Sequence, residues 1–274
     1  MAFGGETAES YYDDGVTAFM RGEIRQATTC FERAIELDEK YFAAYHQLAR
    51  CAMRQGDLKR AVELLTHVIR NRPRLIPPRI DLGHACIMQG RVDEAHRMFA
   101  EIIGVEPTNA RALFGLAQVA FERAQWADAV ALAQRSLQHS GPYFPALFLL
   151  GKAARLADDP QLSAESLEQA GALVEKTLEL NPDQPESHYM LGEVRFARER
   201  FNDALESYRE AADRCVADRV YTAYNDAFTR LDALAKQALC YQRLGESARA
   251  NEIAEGILRT DPNHRMAQVI LGRA

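Results

Sequence analysis

The sequence predicts an all-α fold: a right-handed α-solenoid of stacked helix-turn-helix units. Three observations predict it. A segment of about thirty-four residues recurs almost from end to end. Within each copy, apolar residues fall three and four apart, the spacing of a helix stripe. Small residues, a mid-repeat glycine and a terminal proline return at matching places. Units of this length bury their apolar faces only by stacking on neighbours, so they build a continuous surface.

Each copy can be read in turn. An apolar-then-small pair sits at repeat positions 7 and 8, glycine at 15, alanine at 20 and proline at 32. The first unit, 8–41, has Gly15, Gly22, Ala27, Phe31 and Ala34, with Asp14 and Glu39 departing from the pattern. The second, 42–75, carries Leu48, Ala49, Gly56, Ala61 and Pro73. The third, 76–109, carries Leu82, Gly83, Gly90, Ala95 and Pro107. The fourth, 110–143, keeps Leu116, Ala117 and Ala129 but has Ala124 for the glycine. The fifth, 144–184, has Leu150 and Gly151, but its proline is Pro182; about seven extra residues are expected around LADDPQLSAES. The sixth, 185–218, has Leu191, Gly192, Ala204, Tyr208 and Ala211. The seventh, 231–264, has Ala238, Gly245, Ala250 and Pro262. Between them, Val220, Tyr224, Phe228 and Leu231 recur at helical spacing and predict a helix extension. Residues 265–274 read as a C-terminal helix, capping or opening a further repeat, with Met266, Val269 and Ile270 on an apolar face. With no Gly/Ser-rich or Pro-rich linker, residues 1–274 are expected to form a single domain.

The marks have direct physical causes. Small residues at 8 and 20 allow two helices to cross closely, and larger ones would overpack the crossing. Glycine at 15 supplies a left-handed residue that ends the first helix. Proline at 32 stops the second helix.

These marks resemble the tetratricopeptide repeat family, over residues 8–264. The resemblance implies that first helices line a concave groove, with positions 2, 5, 9, 12 and 13 facing inward. The lining it implies is Tyr12, Val16 and Phe19, then His46, Arg50 and Met53, then Ile80, His84 and Ile87. It continues with Phe114, Gln118 and Phe121, then Phe148, Lys152 and Arg155, then Tyr189, Glu193 and Phe196. The candidate partner-binding residues are His46, Arg50, Ile80, His84, Phe114, Gln118, Phe121, Phe148, Lys152, Arg155, Tyr189 and Phe196. The aromatics suit an apolar anchor, and the polar residues suit a backbone or carboxylate. Chaperone-binding members of the family grip a C-terminal carboxylate with Lys, Arg and Asn. The matching places here hold Tyr12, Val16, Gln47, Pro77 and Asp81, so that clamp is not expected.

Composition narrows the function class. The 274 residues carry a net charge of −6, which gives no footprint for nucleic acid. The longest apolar run, PALFLLG, is too short to insert in a membrane. MAFGGETAES lacks a basic start and an apolar core, so no secretory leader is expected. The five cysteines are odd in number and widely spaced, which fits a reducing compartment and a cytoplasmic location. No phosphate loop, nucleophile elbow, Cys-x-x-Cys or helical His pair is present. Asp158–Asp159 and Asp93–Glu94 read as turn and helix-start residues. No catalytic, metal or cofactor site is expected, and the chain is not expected to be an enzyme.

The expected function is a scaffold or adaptor that holds a peptide segment or helix of another protein. Two alternatives stand beside it. The apolar last helix suits an interaction domain truncated from a larger enzyme or a secretion or assembly machine. Charge runs from +3 over residues 42–109 to −7 over 144–218, which suits self-association of a structural protein.

Overall fold

A computed structural model describes residues 7–217, 219–223 and 226–273 of the protein. Residues 1–6, at the start of the segment read for a leader, and Tyr224 lie outside them. The described residues form two compact units, the first ending at Gly141 and the second beginning at Pro142. The first holds α1 (Ala8–Met20), α2 (Ile24–Leu37), α3 (Phe42–Arg54), α4 (Leu58–Asn71), α5 (Ile76–Met88), α6 (Val92–Val105), α7 (Ala110–Glu122) and α8 (Trp126–Ser140). The second holds α9 (Phe144–Leu156), α10 (Pro160–Leu180), α11 (Pro185–Ala197), α12 (Phe201–Arg214), strands β1 (Tyr221–Ala223) and β2 (Asp226–Phe228), α13 (Arg230–Arg243), α14 (Ser247–Thr260) and α15 (Arg265–Ile270). Within each unit every helix packs on the next, the pattern of an all-α solenoid. In the first unit α1 touches α3, α3 touches α5 and α5 touches α7, so the first helices of successive pairs share one wall.

The first helices end as the glycines predict. Gly22, Gly56, Gly90 and Gly245 have φ between +74° and +82°. Around Gly22 its N–H donates to the Phe19 carbonyl and the Glu23 N–H to the Ala18 carbonyl, at 3.1 and 2.9 Å. This pair of bonds satisfies carbonyls the helix end would leave bare. Ala124, Asp158 and Glu199 adopt the same left-handed turn without being glycine. At Ala124 and Glu199 the bond pair still forms, for example Gln125 N–H to the Ala120 carbonyl at 2.9 Å, and at Asp158 the longer bond of the pair does, from Asp159 N–H to the Ala154 carbonyl at 2.9 Å.

Helix pairs lock through position 8, and its partner is position 24. A Cβ added at Gly15 would lie 2.6 Å from the Phe31 ring, and one at Gly83 would lie 2.5 Å from Phe99. Gly151 stands in the same relation to Leu167, and Gly192 to Tyr208, each at 2.6 Å. Phe99 is wedged further, since the next pair presents Gly115 to the same ring. The alanines at position 20 (Ala27, Ala61, Ala95, Ala129, Ala204 and Ala250) are wholly buried.

Two sequence expectations need correction. The extra residues of the fifth pair are not in the connection before α10. That helix starts in the usual register, with Asp159 accepting the Leu162 N–H at 3.0 Å as its cap. Ser163, Leu167 and Ala170 then take the regular buried places, and α10 runs on to 21 residues against 14 in α4. A helix absorbs seven more residues as two further turns without moving its start. The second correction is the segment before α13, which is a hairpin and not a helix. Tyr221 pairs with Phe228, Thr222 with Ala227 and Ala223 with Asp226. Tyr221 and Ala223 are buried while Thr222 between them is less so, the alternation of a strand. Aromatic and β-branched residues win here over the three-and-four spacing.

The last helix turns inward. Ala267 and Ile270 of α15 are buried against α13 and α14, while Val269 stays 56% exposed.

Two outcomes check this account. Gly83→Ala should destabilise the chain by roughly 1–3 kcal/mol in urea melts, with Phe99→Leu in the same chain restoring part of the loss. Replacing Ala124 or Glu199 by glycine should raise stability by about 1 kcal/mol; a lower urea midpoint would show that these turns carry no strain.

Candidate functional site

The shared wall of α1, α3, α5 and α7 is organised by one buried acid. Asp81 follows Ile80 in α5, a place flanked by core residues, and is only 7% exposed. An unpaired carboxylate could not stay there. Three partners hold it: His46 of α3 at 2.8 Å, Arg111 of α7 at 2.8 Å and Arg50 of α3 at 4.0 Å. Burial alone would raise the Asp81 pKa, but the His46 hydrogen bond and the charges of Arg111, His46 and Arg50 outweigh it and hold the carboxyl below its ordinary value. The acid therefore ties three successive helix pairs together.

Cations and aromatics line the wall beside it. Arg50 and Arg54 sit over the Phe19 ring, 4.9 and 4.1 Å from its centre. Phe121 meets Trp126 edge-on at 5.1 Å. Met53, Ile87 and Phe121 are part-exposed. Ile80 and Phe114 are 2% and 8% exposed, so they shape the wall from beneath and are closed to a partner. His84 lies between Phe99 and Phe114, with ring centres 5.2 and 6.2 Å away. Burial pushes its pKa down to about 4; the Arg111 charge adds to this, and Asp81 and Gln118 oppose it. Gln118 is its polar neighbour, yet His84 Nδ1 and Gln118 Oε1 are both buried without a hydrogen-bond partner among the described residues. Those two atoms are buried, while His84 and Gln118 as whole residues are part-exposed.

The second unit offers a different set. Lys152 lies 5.4 Å from the Phe148 ring centre. Arg155 donates to the Ala197 carbonyl at 3.1 Å. Phe196 meets Phe201 edge-on at 5.3 Å. Glu193 accepts the Tyr208 hydroxyl at 2.7 Å and pairs with Lys236 at 2.5 Å. Tyr189 is 7% exposed, and Phe228 of the hairpin stacks on it, ring centres 4.1 Å apart.

The sequence reading left out Asp81 as a hub, and Arg54 and Arg111 as wall residues. Arg111 and Arg54 occupy repeat positions 2 and 13, which the family pattern points inward. Asp81 was signalled only by being a charge among core positions.

Burial pushes the thiols of Cys51 and Cys215 up to about 11 and that of Cys240 up to about 12. They stay protonated at neutral pH and are poor nucleophiles. Among the described residues no three His, Cys, Asp or Glu side chains converge as a metal site. No helix among them is long and apolar enough to cross a membrane.

His84 sets an acid limit for the first unit. Its pKa of about 4 in the fold lies below the ordinary 6.5, so the unfolded chain binds more protons between these values and stability falls as pH drops through that window. Asp81, held below its ordinary value, keeps its contribution throughout it. Moving from pH 7 to 5 should cost on the order of 1–2 kcal/mol through His84. His84→Phe should remove that part of the loss in urea melts at the two pH values; an unchanged loss would assign it to other groups.

Residues 86–141, 161–218 and 232–264 each match the family described as tetratricopeptide repeat. Residues 20–102 match anaphase-promoting complex, cyclosome, subunit 3. Among curated proteins, the chain is 27% identical over 100 residues to DnaJ homolog subfamily C member 3 of Homo sapiens, covering 36% of this chain and 20% of that one. It is 31% identical over 128 residues to Protein O-mannosyl-transferase Tmtc3 of Drosophila melanogaster, covering 45% of this chain and 14% of that one. The chain thus spans about a fifth or less of these relatives. Its fold is similar to that of the APC/C hetero-tetramer Cut9–Hcn1, with a TM-score of 0.61 at 18% identity over 76% of this chain and 40% of that one. It is similar to a tetratricopeptide repeat protein from Parabacteroides merdae, with a TM-score of 0.58 at 11% identity over 98% of this chain and 99% of that one. PilW, a type IV pilus biogenesis factor, gives 0.52 at 16% identity over 98% of this chain and all of its own, a full 100%. At such identities the likeness is one of fold. The recurring marks, the helix pairs they build and three separate family matches agree: the chain belongs to the tetratricopeptide repeat family.

Proposed function

We propose that the protein is a non-enzymatic scaffold or adaptor that holds a segment of a partner protein against the α3–α5–α7 wall of its first unit. The segment is acidic, with apolar side chains beside the acids. One observation carries this reading. Arg50 and Arg111 converge on a single buried acid, Asp81, and Arg54 extends the cationic strip one turn along α3. One carboxylate is thus met by more than one cation, and the same three helices carry part-exposed Met53, Ile87 and Phe121. An acidic group of the partner meets the cations through charge-assisted bonds. Its apolar neighbours bury against the wall and set the affinity. Of the residues named from sequence, His46, Arg50 and Phe121 fit this role in the first unit, with Phe148, Lys152, Arg155 and Phe196 offering a separate surface in the second. Five free cysteines support a cytoplasmic location.

A second reading is that the chain is the interaction part of a larger enzyme or assembly machine. The small share of each curated relative that it matches favours it. The intact mass of the native protein decides that point.

Selection from a random peptide display library tests the first reading. Enriched peptides should combine Asp or Glu with large apolar residues. Arg50→Glu with Arg54→Glu should weaken them about tenfold, roughly 1.4 kcal/mol, without lowering the urea midpoint by a comparable amount. Phe121→Ala should act in the same direction. Enrichment of basic peptides, or indifference to the charge reversals, would overturn the assignment.

A further inference from the structure

We propose that the Tyr189 wall of the second unit is a docking surface for an aromatic side chain of a partner segment, and that the β1–β2 hairpin holds that place until the segment displaces it. This stands on the second unit alone and is independent of the reading for the first.

The hairpin is an addition to the stack. The links from second to first helices are residues 38–41, 72–75, 106–109, 181–184 and 261–264, four residues each, and 141–143, three residues. The link from α12 to α13 is 215–229. Yet α13 packs directly on α12, as consecutive helices do elsewhere in the unit. The helices therefore close the stack without the extra residues, which leaves the hairpin free to be an occupant of the wall.

Its hold on the wall is aromatic. The Phe228 ring lies nearly parallel to Tyr189, at 17° and 4.1 Å between centres. Tyr221 backs Phe228 from the facing strand at 5.6 Å. Phe228 is 1% exposed and Tyr221 5%. Tyr221 is fixed in turn by the Val216 N–H, which donates to its hydroxyl at 2.8 Å. Two strands of three residues are not stable alone in water, so the pair depends on what it covers.

The surface beneath is built without the hairpin. Tyr189 meets Tyr208 edge-on at 5.5 Å, Tyr208 bonds Glu193, and Lys236 pairs with Glu193 and lies 5.9 Å from the Tyr189 ring centre. All of these come from α11, α12 and α13. Lifting Phe228 would expose a flat aromatic ring, backed by a rigid partner and rimmed by a cation and an acid. That surface accepts another aromatic ring by the same offset stacking. Val216 and Val220, at the base of the hairpin, are 60% and 51% exposed, while Ala223 joins the two rings in the buried cluster at 5%.

The test replaces residues 216–228 by two glycines, which restores a four-residue link between Cys215 and Thr229. A labelled synthetic peptide with the sequence of residues 216–229 is then titrated onto this chain and onto the intact chain. The excised chain should bind the peptide in the micromolar range. Binding should weaken at least about tenfold when the peptide carries Phe228→Ala, and also when the intact chain is used, a difference of roughly 1.4 kcal/mol in each case. A folded excised chain that ignores the peptide, or binds both peptides equally, overturns the proposal. Hydrogen exchange on the intact chain decides the matter if the excised chain does not fold. Amides of Tyr221–Ala223 and Asp226–Phe228 should exchange at least about tenfold faster than those in the middle of α12 and α13. Exchange at the helices' own rate would make the hairpin part of the core and end the idea.

Discussion

Everything in this fold depends on how closely two helices of a pair can approach at position 8. Where that residue is glycine, the facing position 24 holds a large side chain: Phe31, Phe99, Leu167 or Tyr208. Where it is alanine, as at Ala49, Ala117 and Ala238, position 24 holds Leu65, Ala133 or Ala254. At Ala117 and Ala238 the two positions trade volume, as close packing requires, whereas Ala49 faces a leucine like the one opposite Gly151. Phe99 takes this furthest, reaching between glycines of two successive pairs. Each pair is thereby keyed to its own members and, in that instance, to its neighbour.

With the crossings fixed, the first helices present a set of side chains whose spacing is no longer adjustable. That rigidity is what lets one carboxylate serve three pairs. Asp81 is buried by its own helix, and its partners arrive from α3 and α7 because the stacking brings those helices past it. The same rigidity makes His84 a liability in acid. Its ring sits between two phenylalanines, where a charge is poorly solvated. The wall therefore mixes groups that tolerate solvent, such as Arg50, with groups that need to be kept from it.

Much of the fold was legible because its constraints are local. A left-handed turn needs glycine or tolerates a substitute, and the places of Gly56, Gly90 and Ala124 announce the turns whichever residue stands there. The site was less legible. Inward positions could be listed from the family pattern, but Ile80, Phe114 and Tyr189 are covered by side chains from elsewhere in the chain. Arg54 and Arg111 gain meaning only from Phe19 and Asp81, which lie 35 and 30 residues away in sequence.

The sequence by itself determined the repeat, its helical period and its small-residue crossings, because these follow from steric limits acting within one helix pair. Only tertiary structure decided where the surplus length goes. Seven residues became two turns at the end of α10, since a helix extends without disturbing the pairs on either side. The surplus before α13 became a hairpin, since Tyr221 and Phe228 found an aromatic wall to cover. Periodicity cannot choose between those fates, because the choice rests on a surface that exists only once the neighbouring helices have packed.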